Sequence, residues 1–554
     1  MATPATVSRP RRLLRGRGAR RGDRLRRAAP AVVGLCLGLL ALGPGLRRGF
    51  LLSYDMVFVP REPFSAALPG LAPPRAVPSD LVIATASRIL PADIVQKLVL
   101  LSIFVLACSG VAALLKDQPL LARLASGVFY TWNPYVAERL IIGQWALLIG
   151  YAGLPWVLRA VLRRGPVQLL LALLPAIIGG FAAMTVTALV LVPAAIFTRS
   201  VRRAAVTLGV FVVGTLPWLI PSFLHPVYAD PAGVAAFSSR ADTPFGTVGS
   251  LLMLGGMWNA ETVPKGYGGH SSVLWLAIVL VALAAFVLAG WRHRSRTRHW
   301  DATWLALCVG AVVGLLIASL GVTAAGRDVS RSATEAWSGF ATFRDAQQFI
   351  APLALAEAAG MAAAVAWVMN PATFRKERSG KHRRLGSTDT AGAALGVVAL
   401  LAPVVLLPGL AWGAAGRLRP TWYPATWLAA ARMIDDSPAP GTVLLLPWAA
   451  DREPAWNHGE KVLDPWPRLL SRLVIWNDGM QVGNVKMEPD DPRARALNHV
   501  VSGGGPLTEA LRSAGVRFVI DDADPPDGEV ATRLRGCAVR VSEPGLVVCE
   551  ISPG

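Results

Sequence analysis

The chain has 554 residues, of which 53% are hydrophobic and only 16% are charged, and its mean hydropathy is +0.46. A soluble protein of this length needs far more charge to cover its surface. Several apolar runs approach about 20 residues, the length that crosses a roughly 30 Å hydrocarbon core. The composition therefore excludes an ordinary soluble enzyme and predicts a polytopic α-helical membrane protein.

The formal net charge of +20 is distributed in a way that argues against nucleic acid as a partner. Ten of the 55 basic residues are arginines between Arg9 and Arg27, and most of the others lie in short gaps between apolar runs. This is the positive-inside pattern of membrane proteins, whereas a nucleic-acid site gathers its charge on one face. We therefore expect membrane lipids, and no nucleic acid, as partners of this chain.

The apolar runs predict about eleven helical spans. In chain order they lie near residues 30–46, 96–115, 119–132, 144–161, 166–181, 184–198, 204–222, 271–291, 302–325, 348–368 and 391–412. With the Arg-rich tail (1–29) in the cytoplasm, that side holds 28 Lys and Arg residues, against 12 on the outer side of this segment. Orientation follows this excess. We therefore expect a multi-pass plasma-membrane protein with a cytoplasmic N-terminus and an extracytoplasmic C-terminal region.

The last segment, 413–554, differs in kind from the transmembrane segment, 30–412. It has 15 basic and 18 acidic residues, with short strand-like runs separated by turn residues. The predicted elements are strands at Val443–Leu446 and Arg517–Ile520, a helix at Pro506–Ala514 that ends at Gly515, and a hairpin of Ala538–Ser542 and Leu546–Ile551. These alternating elements predict a small extracytoplasmic α/β domain.

Two cysteines of this C-terminal domain are predicted to form a disulfide. Cys537 and Cys549 flank the hairpin turn, so the hairpin brings them opposite each other, and an oxidising compartment permits the bond. The alternative is two buried thiols. The five cysteines of the chain show no CxxC pair and no Cys/His cluster with zinc spacing, so we expect no zinc site.

The first predicted external loop, 47–95, contains the best candidate for a reacting carboxylate. Asp55 follows Tyr54 and precedes a hydrophobic run, so it stands just beyond a membrane span. A carboxylate at the interface can face a lipid headgroup while the low dielectric raises its basicity. Asp80 lies further along the same loop. The alternative is that these acids are solvated loop residues.

Two charged pairs stand at other predicted external ends of spans. Glu138–Arg139 follows the helix-ending Asn133-Pro134, and Arg344–Asp345 precedes the tenth span. A charged pair at the membrane surface needs a partner, and an arginine there can bind a phosphate through two parallel hydrogen bonds. The alternative for Arg344 is a snorkelling side chain that keeps its charge in the headgroup layer.

These features together resemble the GT-C superfamily of membrane glycosyltransferases, which use sugars linked to polyprenyl phosphate. The residues that carry the resemblance are Tyr54-Asp55 after the first span, Trp132-Asn133-Pro134-Tyr135 with Glu138-Arg139 and Gly143-Gln144-Trp145, and Phe343-Arg344-Asp345 with Phe349. The likeness covers the architecture of most of residues 30–412. The Arg-, Ala- and Gly-rich style is similar to that of high-GC actinobacterial proteins.

The resemblance implies an enzyme that moves a sugar from a polyprenyl-phosphate donor to a glycan or glycolipid acceptor of the cell envelope. It implies that Asp55 is the general base that deprotonates the acceptor hydroxyl. It implies that Arg344 stabilises the departing phosphate. The acidic motif of such enzymes is often a pair of neighbouring acids, whereas Asp55 here is followed by Met56. No organic cofactor is expected, and the need for a divalent metal stays open.

The remaining candidates are grouped with Asp55 because the predicted topology puts them on one side of the membrane. We expect Glu138 and Arg139 to orient the acceptor or the base, and Asp345 to hold the guanidinium of Arg344. Tyr54 and Asp80 are added as substrate-binding candidates. Two other classes of protein remain open: a transporter or flippase of a lipid-linked glycan, and a non-catalytic membrane protein of envelope assembly.

Overall fold

The membrane domain is built from long apolar helices joined by short helical turns. The computed structural model describes residues 16–67, 77–163, 165–224, 228–370, 390–523 and 532–552. Its helices are α1 Gly16–Leu42, α2 Phe64–Ala67, α3 Ser79–Ala86, α4 Ala92–Leu114, α5 Leu120–Thr131, α6 Pro134–Ile141, α7 Trp145–Arg163, α8 Pro166–Phe197, α9 Val201–Leu224, α10 Gly233–Ala236, α11 Gly246–Leu252, α12 Ser271–Thr297, α13 Ala302–Ser319, α14 Ala324–Ala336, α15 Ala351–Met369, α16 Thr390–Leu406 and α17 Ala411–Gly416.

Eight helical segments in the described part of the chain are long and apolar enough to cross a membrane. A ninth candidate is the pair 390–406 and 408–416, which is bent by 59°. The protein is thus a multi-pass membrane protein. The predicted span 119–132 corresponds to α5, which has 12 residues and falls short of a full crossing length. The start of the Arg-rich tail (1–15) and the basic cluster at 375–384 lie outside the described residues.

The two spans predicted at 166–181 and 184–198 are joined in one helical segment, α8, which is interrupted at Gly180 (φ 68°, ψ −146°). A Cβ added to Gly150 would lie 3.6 Å from the Cα of Ala176 and in contact with the Cβ of Ala183. Seven residues extend about 10.5 Å along a straight helix. The chain therefore bends sharply at Gly180, a conformation that glycine adopts without a steric penalty.

The short helix α6 begins where the sequence ends α5 with Asn133-Pro134. The Asn133 side chain caps α6 by accepting a hydrogen bond of 3.0 Å from the backbone N–H of Val136, and Pro134 occupies the first helical position. Beneath it, the rings of Tyr130 and Tyr151 stack with centroids 4.2 Å apart. The cap and the stacked rings hold α6, which carries Glu138 and Arg139, in one orientation.

The C-terminal region contains a five-stranded mixed sheet with helices. Two short strands precede this region or open it, β1 Phe50–Leu51 and β2 Pro420–Thr421. The other strands of the region, inside and outside the five-stranded sheet, are β3 Thr442–Leu446, β4 Asp451–Arg452, β5 Val462–Leu463, β6 Val474–Ile475, β7 Gln481–Val482, β8 Val485–Lys486, β9 Val516–Asp521, β10 Ala538–Glu543 and β11 Leu546–Glu550. Its helices are α18 Ala425–Asp436, α19 Trp466–Leu469, α20 Pro492–Ser502 and α21 Thr508–Ser513. The sheet order is β10-β11-β9-β3-β6, with β3 parallel to β6 and β9.

The predicted α/β elements are thus present, each within a few residues of its expected bounds. The hairpin brings Cys537 and Cys549 together with a Cα–Cα distance of 5.8 Å, and their sulfur atoms are bonded. This separation lies in the normal range for disulfides. The predicted strand at 443–446 is an interior strand of the sheet, between β9 and β6, and its four residues are all buried.

The C-terminal region packs directly against the first loop of the membrane domain. β1 pairs with β2 in an antiparallel ribbon, and Tyr54 forms a parallel bridge with Val462. The Tyr423 hydroxyl donates a hydrogen bond of 3.0 Å to the carbonyl oxygen of Phe58. A single buried cluster of apolar side chains runs through both parts. The boundary drawn at residue 413 therefore crosses a continuous core.

Candidate active site

The candidate base Asp55 lies in a tight turn that rests on the end of α6. The backbone N–H of Asp55 donates to the carbonyl oxygen of Ile142 at 3.0 Å, and the Ser53 hydroxyl donates to that of Ile141 at 2.6 Å. A Cβ at Gly143 (φ 87°) would collide with the backbone of Ser53 and Met56. The side chain of Asp55 remains exposed. The contacts fix the backbone and leave the carboxylate accessible.

A chain of hydrogen bonds connects Asp55 to the buried guanidinium of Arg139. The Gln144 amide nitrogen donates to Asp55 Oδ2 at 3.2 Å, and the Gln144 oxygen accepts from Arg139. Arg139 is fully buried and binds Asp345 through two parallel hydrogen bonds, of 2.5 and 2.9 Å. Because arginine only donates, it holds the Gln144 oxygen toward itself and aims the amide nitrogen at Asp55. Arg139 thereby positions the candidate base.

Gln347 extends this network to a pair of buried acids. Its side-chain oxygen accepts from Arg139 Nε at 3.0 Å, and its nitrogen donates to Glu138 Oε2 at 3.1 Å. Burial raises the pKa of Glu138 well above its usual range, and the neighbouring Asp242 raises it further. Burial also raises the pKa of Asp242. Neither Glu138 Oε1 nor Asp242 Oδ1 has a hydrogen-bond partner among the described residues, although Arg240 Nε lies 3.9 Å from Asp242 Oδ1.

Tyr54, predicted to bind substrate, is turned toward the C-terminal region. Its hydroxyl donates to Glu261 Oε2 at 2.5 Å, and Lys461 Nζ donates to both carboxylate oxygens of the same residue at 3.1 Å. The hydrogen bond from Tyr54 is the largest cause of the lowered pKa of Glu261. Tyr54 therefore ties the Asp55 turn, the loop before α12 and the C-terminal region together.

The expected pair of Arg344 with Asp345 is replaced by the pair of Arg139 with Asp345. The Arg344 guanidinium instead lies 5.0 Å above the ring of Phe237 and 3.9 Å from the carboxylate of Asp490. Successive residues of the turn before α15 point in different directions, so Arg344 and Asp345 do not face each other. The guanidinium of Arg139 is fully buried and needs a paired carboxylate more than the partly exposed guanidinium of Arg344 does. The ring of Phe237 under Arg344 belongs to the same apolar cluster as Tyr54, the residue before Asp55.

Asp80, the other predicted substrate ligand, lies in a different cluster. It accepts a hydrogen bond of 3.0 Å from Arg468 Nε, and Glu62 lies 4.0 Å from the same nitrogen. Burial, and then the charge of Asp80, raises the pKa of Glu62 to about 9. This cluster joins the first loop to α19. We assign Asp80 a structural contact there.

A residue of the C-terminal region, Asp451, lies near Asp55. It lies on β4 opposite Leu463, whose backbone N–H donates to the carbonyl oxygen of Tyr54 at 2.9 Å. Burial, and then the charge of Asp55, raises the pKa of Asp451 to about 6. The neighbouring acid missing beside Asp55 in sequence is thus contributed by a residue about 400 positions away. Strand pairing alone creates this proximity, so no local sequence signal could have revealed it.

The arrangement has the components of a general-base site. One accessible carboxylate is held by an amide, the amide is held by a buried arginine, and a second carboxylate lies beside the first. Such a pair can accept a proton from a hydroxyl near neutral pH. Among the described residues, no group of three or more His, Cys, Asp or Glu side chains is arranged to hold a metal ion.

Comparison with solved structures identifies the fold. The arabinofuranosyltransferase AftD from Mycobacteria matches with a TM-score of 0.60 and 16% identity, over 95% of this chain and 40% of that chain. A mutant of AftD matches with a TM-score of 0.57 and 17% identity, over 95% and 41%. The oligosaccharyltransferase AglB from Archaeoglobus fulgidus matches over 89% and 65% with 14% identity, but its TM-score of 0.29 carries no argument.

The chain shares the fold of AftD, an arabinofuranosyltransferase, and spans about two fifths of the length of AftD. No protein-family model matches the sequence, and no curated protein matches it. At 16–17% identity the likeness establishes the fold alone.

Proposed function

We propose that the protein is a membrane glycosyltransferase that moves a sugar from a polyprenyl-phosphate donor to a glycan or glycolipid acceptor of the cell envelope. The observation that carries the proposal is the accessible carboxylate of Asp55, held through Gln144 by the buried Arg139. Burying a charged guanidinium costs desolvation free energy. Its use to orient one surface carboxylate therefore indicates that the orientation matters for function. The fold shared with AftD supports the class of reaction, and the classes of donor and acceptor follow from the sequence resemblance.

In this reaction Asp55 accepts the proton of the acceptor hydroxyl as that oxygen attacks the anomeric carbon of the sugar. The bond from the anomeric carbon to the phosphate oxygen breaks, and its electron pair leaves with the polyprenyl phosphate. Asp451 beside Asp55 disfavours two neighbouring negative charges and so favours proton uptake. Arg344, whose guanidinium lies over the ring of Phe237, binds the phosphate as its charge grows.

We further propose eleven membrane passages, with Asp55 on the extracytoplasmic side. Asp55 precedes α4, Arg139 follows α5, and the two are connected by Gln144, so α4 must leave this end of the bundle and α5 must return. The bend at Gly180 lies against Val77 of the first loop, which favours a second return within α8. The odd number of crossings agrees with the basic-residue excess, which places the N-terminus in the cytoplasm.

The test is transfer of a radiolabelled sugar from a polyprenyl-phosphate donor by purified full-length protein in membranes. Asp55→Asn is nearly isosteric, and removal of a general base lowers the rate by roughly 10²–10⁴-fold. Asp117→Asn is the matched control, because Asp117 is an exposed acid whose partner Arg163 lies 3.9 Å away. Equal transfer by Asp55→Asn and the wild type would show that Asp55 is not the base.

One observation favours transport as a second candidate function. Glu357 lies in the middle of α15, is fully buried, and neither of its carboxyl oxygens has a hydrogen-bond partner among the described residues. Ionisable residues inside spans commonly serve transport pathways. If Glu357→Gln abolishes movement of a labelled lipid-linked glycan across vesicles while Asp55→Asn leaves that movement unchanged, the protein is a transporter. A transferase gives the opposite pattern in the sugar-transfer assay.

A further inference from the structure

A cationic cavity opens where α1 ends, away from the hydrogen-bond network of Asp55. Its volume is about 590 Å³, and its lining includes Arg47, Arg419, His458 and Trp412. None of the described residues that line it is acidic. The 3₁₀ turn that follows α1 supplies one wall and the turn of α17 supplies another, so the cavity lies between the ends of two candidate spans. That position is the level of the lipid headgroups.

The two arginines of this cavity have free hydrogen-bonding capacity. The Arg419 Nε donates to the carbonyl oxygen of Gly416 at 2.7 Å, which fixes the side chain at the cavity wall. The other nitrogens of Arg419, and the exposed side chain of Arg47, make no hydrogen bond or ion pair within the described part of the chain. By contrast, the adjacent Arg48 is paired with Asp93 at 2.5 Å. Two unpaired guanidinium groups facing one space repel each other unless an anion lies between them.

The cavity also carries an aromatic wall of unusual backbone conformation. Trp412, Gly413, Ala414 and Ala415 all have left-handed φ angles, between 52° and 69°. The result is a Trp412 side chain that is 61% exposed beside the cavity. An exposed tryptophan at the end of a span rests in the interfacial layer, where its ring contacts both headgroups and chains.

We propose that this cavity binds the phosphate headgroup of an anionic membrane lipid, with Arg47 and Arg419 as its ligands. The exposed apolar side chains of the adjoining helices provide the surface along which acyl or prenyl chains lie; they are Val32, Leu35 and Leu39 of α1, and Val398, Leu401 and Val405 of α16. His458, whose Nε2 lies 3.4 Å from the carbonyl oxygen of Pro420, closes the side facing the C-terminal region. The proposal does not depend on the proposed glycosyl transfer.

The lipid source is favoured over a soluble anion by the surroundings of the two arginines. A free phosphate needs only charge, whereas this cavity combines charge with a tryptophan and with lipid-facing helices on both sides. Phosphatidylglycerol and a polyprenyl phosphate share the relevant chemistry, a phosphate ester on a long apolar chain. The headgroup charge and the chain together distinguish both from zwitterionic phosphatidylcholine.

The experiment is native mass spectrometry of the purified full-length protein, titrated separately with phosphatidylglycerol, a polyprenyl monophosphate, phosphatidylcholine and inorganic phosphate. We expect one tightly retained anionic lipid per chain and about tenfold weaker binding for each arginine changed in Arg47→Gln and Arg419→Gln. The matched control is Arg61→Gln, an exposed arginine of the same loop that does not line the cavity. Circular dichroism confirms that each variant is folded.

Three results would overturn the proposal. The first is equal retention of anionic lipid by the folded double variant Arg47→Gln/Arg419→Gln and the wild type. The second is equal affinity for phosphatidylcholine, which would show binding by the apolar surface alone. The third is inorganic phosphate binding as tightly as the lipids, which would show a soluble-anion site. Preference for one of the two anionic lipids supports the proposal and identifies its natural source.

Discussion

Neutralising Asp451 tests whether the folded protein holds this carboxylate beside that of Asp55 despite the repulsion between the two negative charges. Burial, and then the Asp55 charge, raises the Asp451 pKa from 3.8 to about 6. An acid whose pKa is raised on folding favours the folded state most below the unfolded pKa, and that stability is lost as the pH rises toward the folded pKa. The ionised side chain is therefore destabilising at pH 8, and Asp451→Asn should be more stable than the wild type there.

The size of the effect follows from the pKa. Each tenfold change in a proton dissociation constant corresponds to about 1.4 kcal/mol, so Asp451→Asn gains up to about 3 kcal/mol at pH 8. At pH 4, close to the unfolded pKa of 3.8, the gain falls to about 0.5 kcal/mol, and it disappears at lower pH, where the wild-type side chain is protonated in both the folded and unfolded states. Activity should move in the opposite direction, because the negative neighbour that promotes proton uptake by Asp55 is lost.

The assay is thermal unfolding of the detergent-solubilised full-length protein at pH 4, 6 and 8, together with sugar transfer at pH 8. The control is Glu453→Gln, which removes an exposed acid two residues away whose partner Lys461 lies 3.6 Å away. The control should show a small change at every pH. A midpoint for Asp451→Asn that is equal to or below that of the wild type at pH 8 would refute the reasoning.

Three further predictions rest on other contacts. Arg139→Lys should lower the transfer rate by about 10- to 100-fold, because the compact ammonium of lysine lacks the planar fork that binds both oxygens of Asp345 in parallel while it also holds Gln144. Arg163→Lys changes an exposed arginine with a single contact and should have no effect. Maleimide should leave Cys537 and Cys549 unlabelled in unreduced protein, and reduction should lower stability by about 2–3 kcal/mol; labelling of both without reductant contradicts the bond. A reporter active only in the cytoplasm and fused after Gly554 should be silent, and a signal there contradicts an odd number of passages.

The span pattern shows how far local sequence reaches. Apolar length predicted every long helix, because a membrane helix satisfies its own backbone hydrogen bonds and its hydrophobicity is a property of consecutive residues. Apolar length alone does not define the crossings at α5 and α8. The helix α5 has only 12 residues, and α8 is interrupted at Gly180. Their crossings depend on which end of the bundle each loop contacts, and that is decided by packing.

The candidate site divides in the same way. The sequence indicated Asp55, Glu138 and Arg139 because charged residues beside membrane spans require a partner. It did not indicate that Arg139 pairs with Asp345, since the direction of a side chain in a turn depends on the burial of every possible partner. Nor did it indicate that Asp80 pairs with Arg468, a residue nearly 400 positions away.

The amino-acid sequence by itself therefore determined the membrane class, the long helices, the α/β elements after residue 413 and the general location of the charged residues. These follow from composition, periodicity and charge, which act over a few turns of chain. Only the tertiary structure decided that Asp451 lies beside Asp55, that Gln144 connects Asp55 to Arg139, and that two unpaired arginines share one cavity. Those relations arise from strand pairing and helix packing between distant segments, whose outcome depends on the whole core and not on any local pattern.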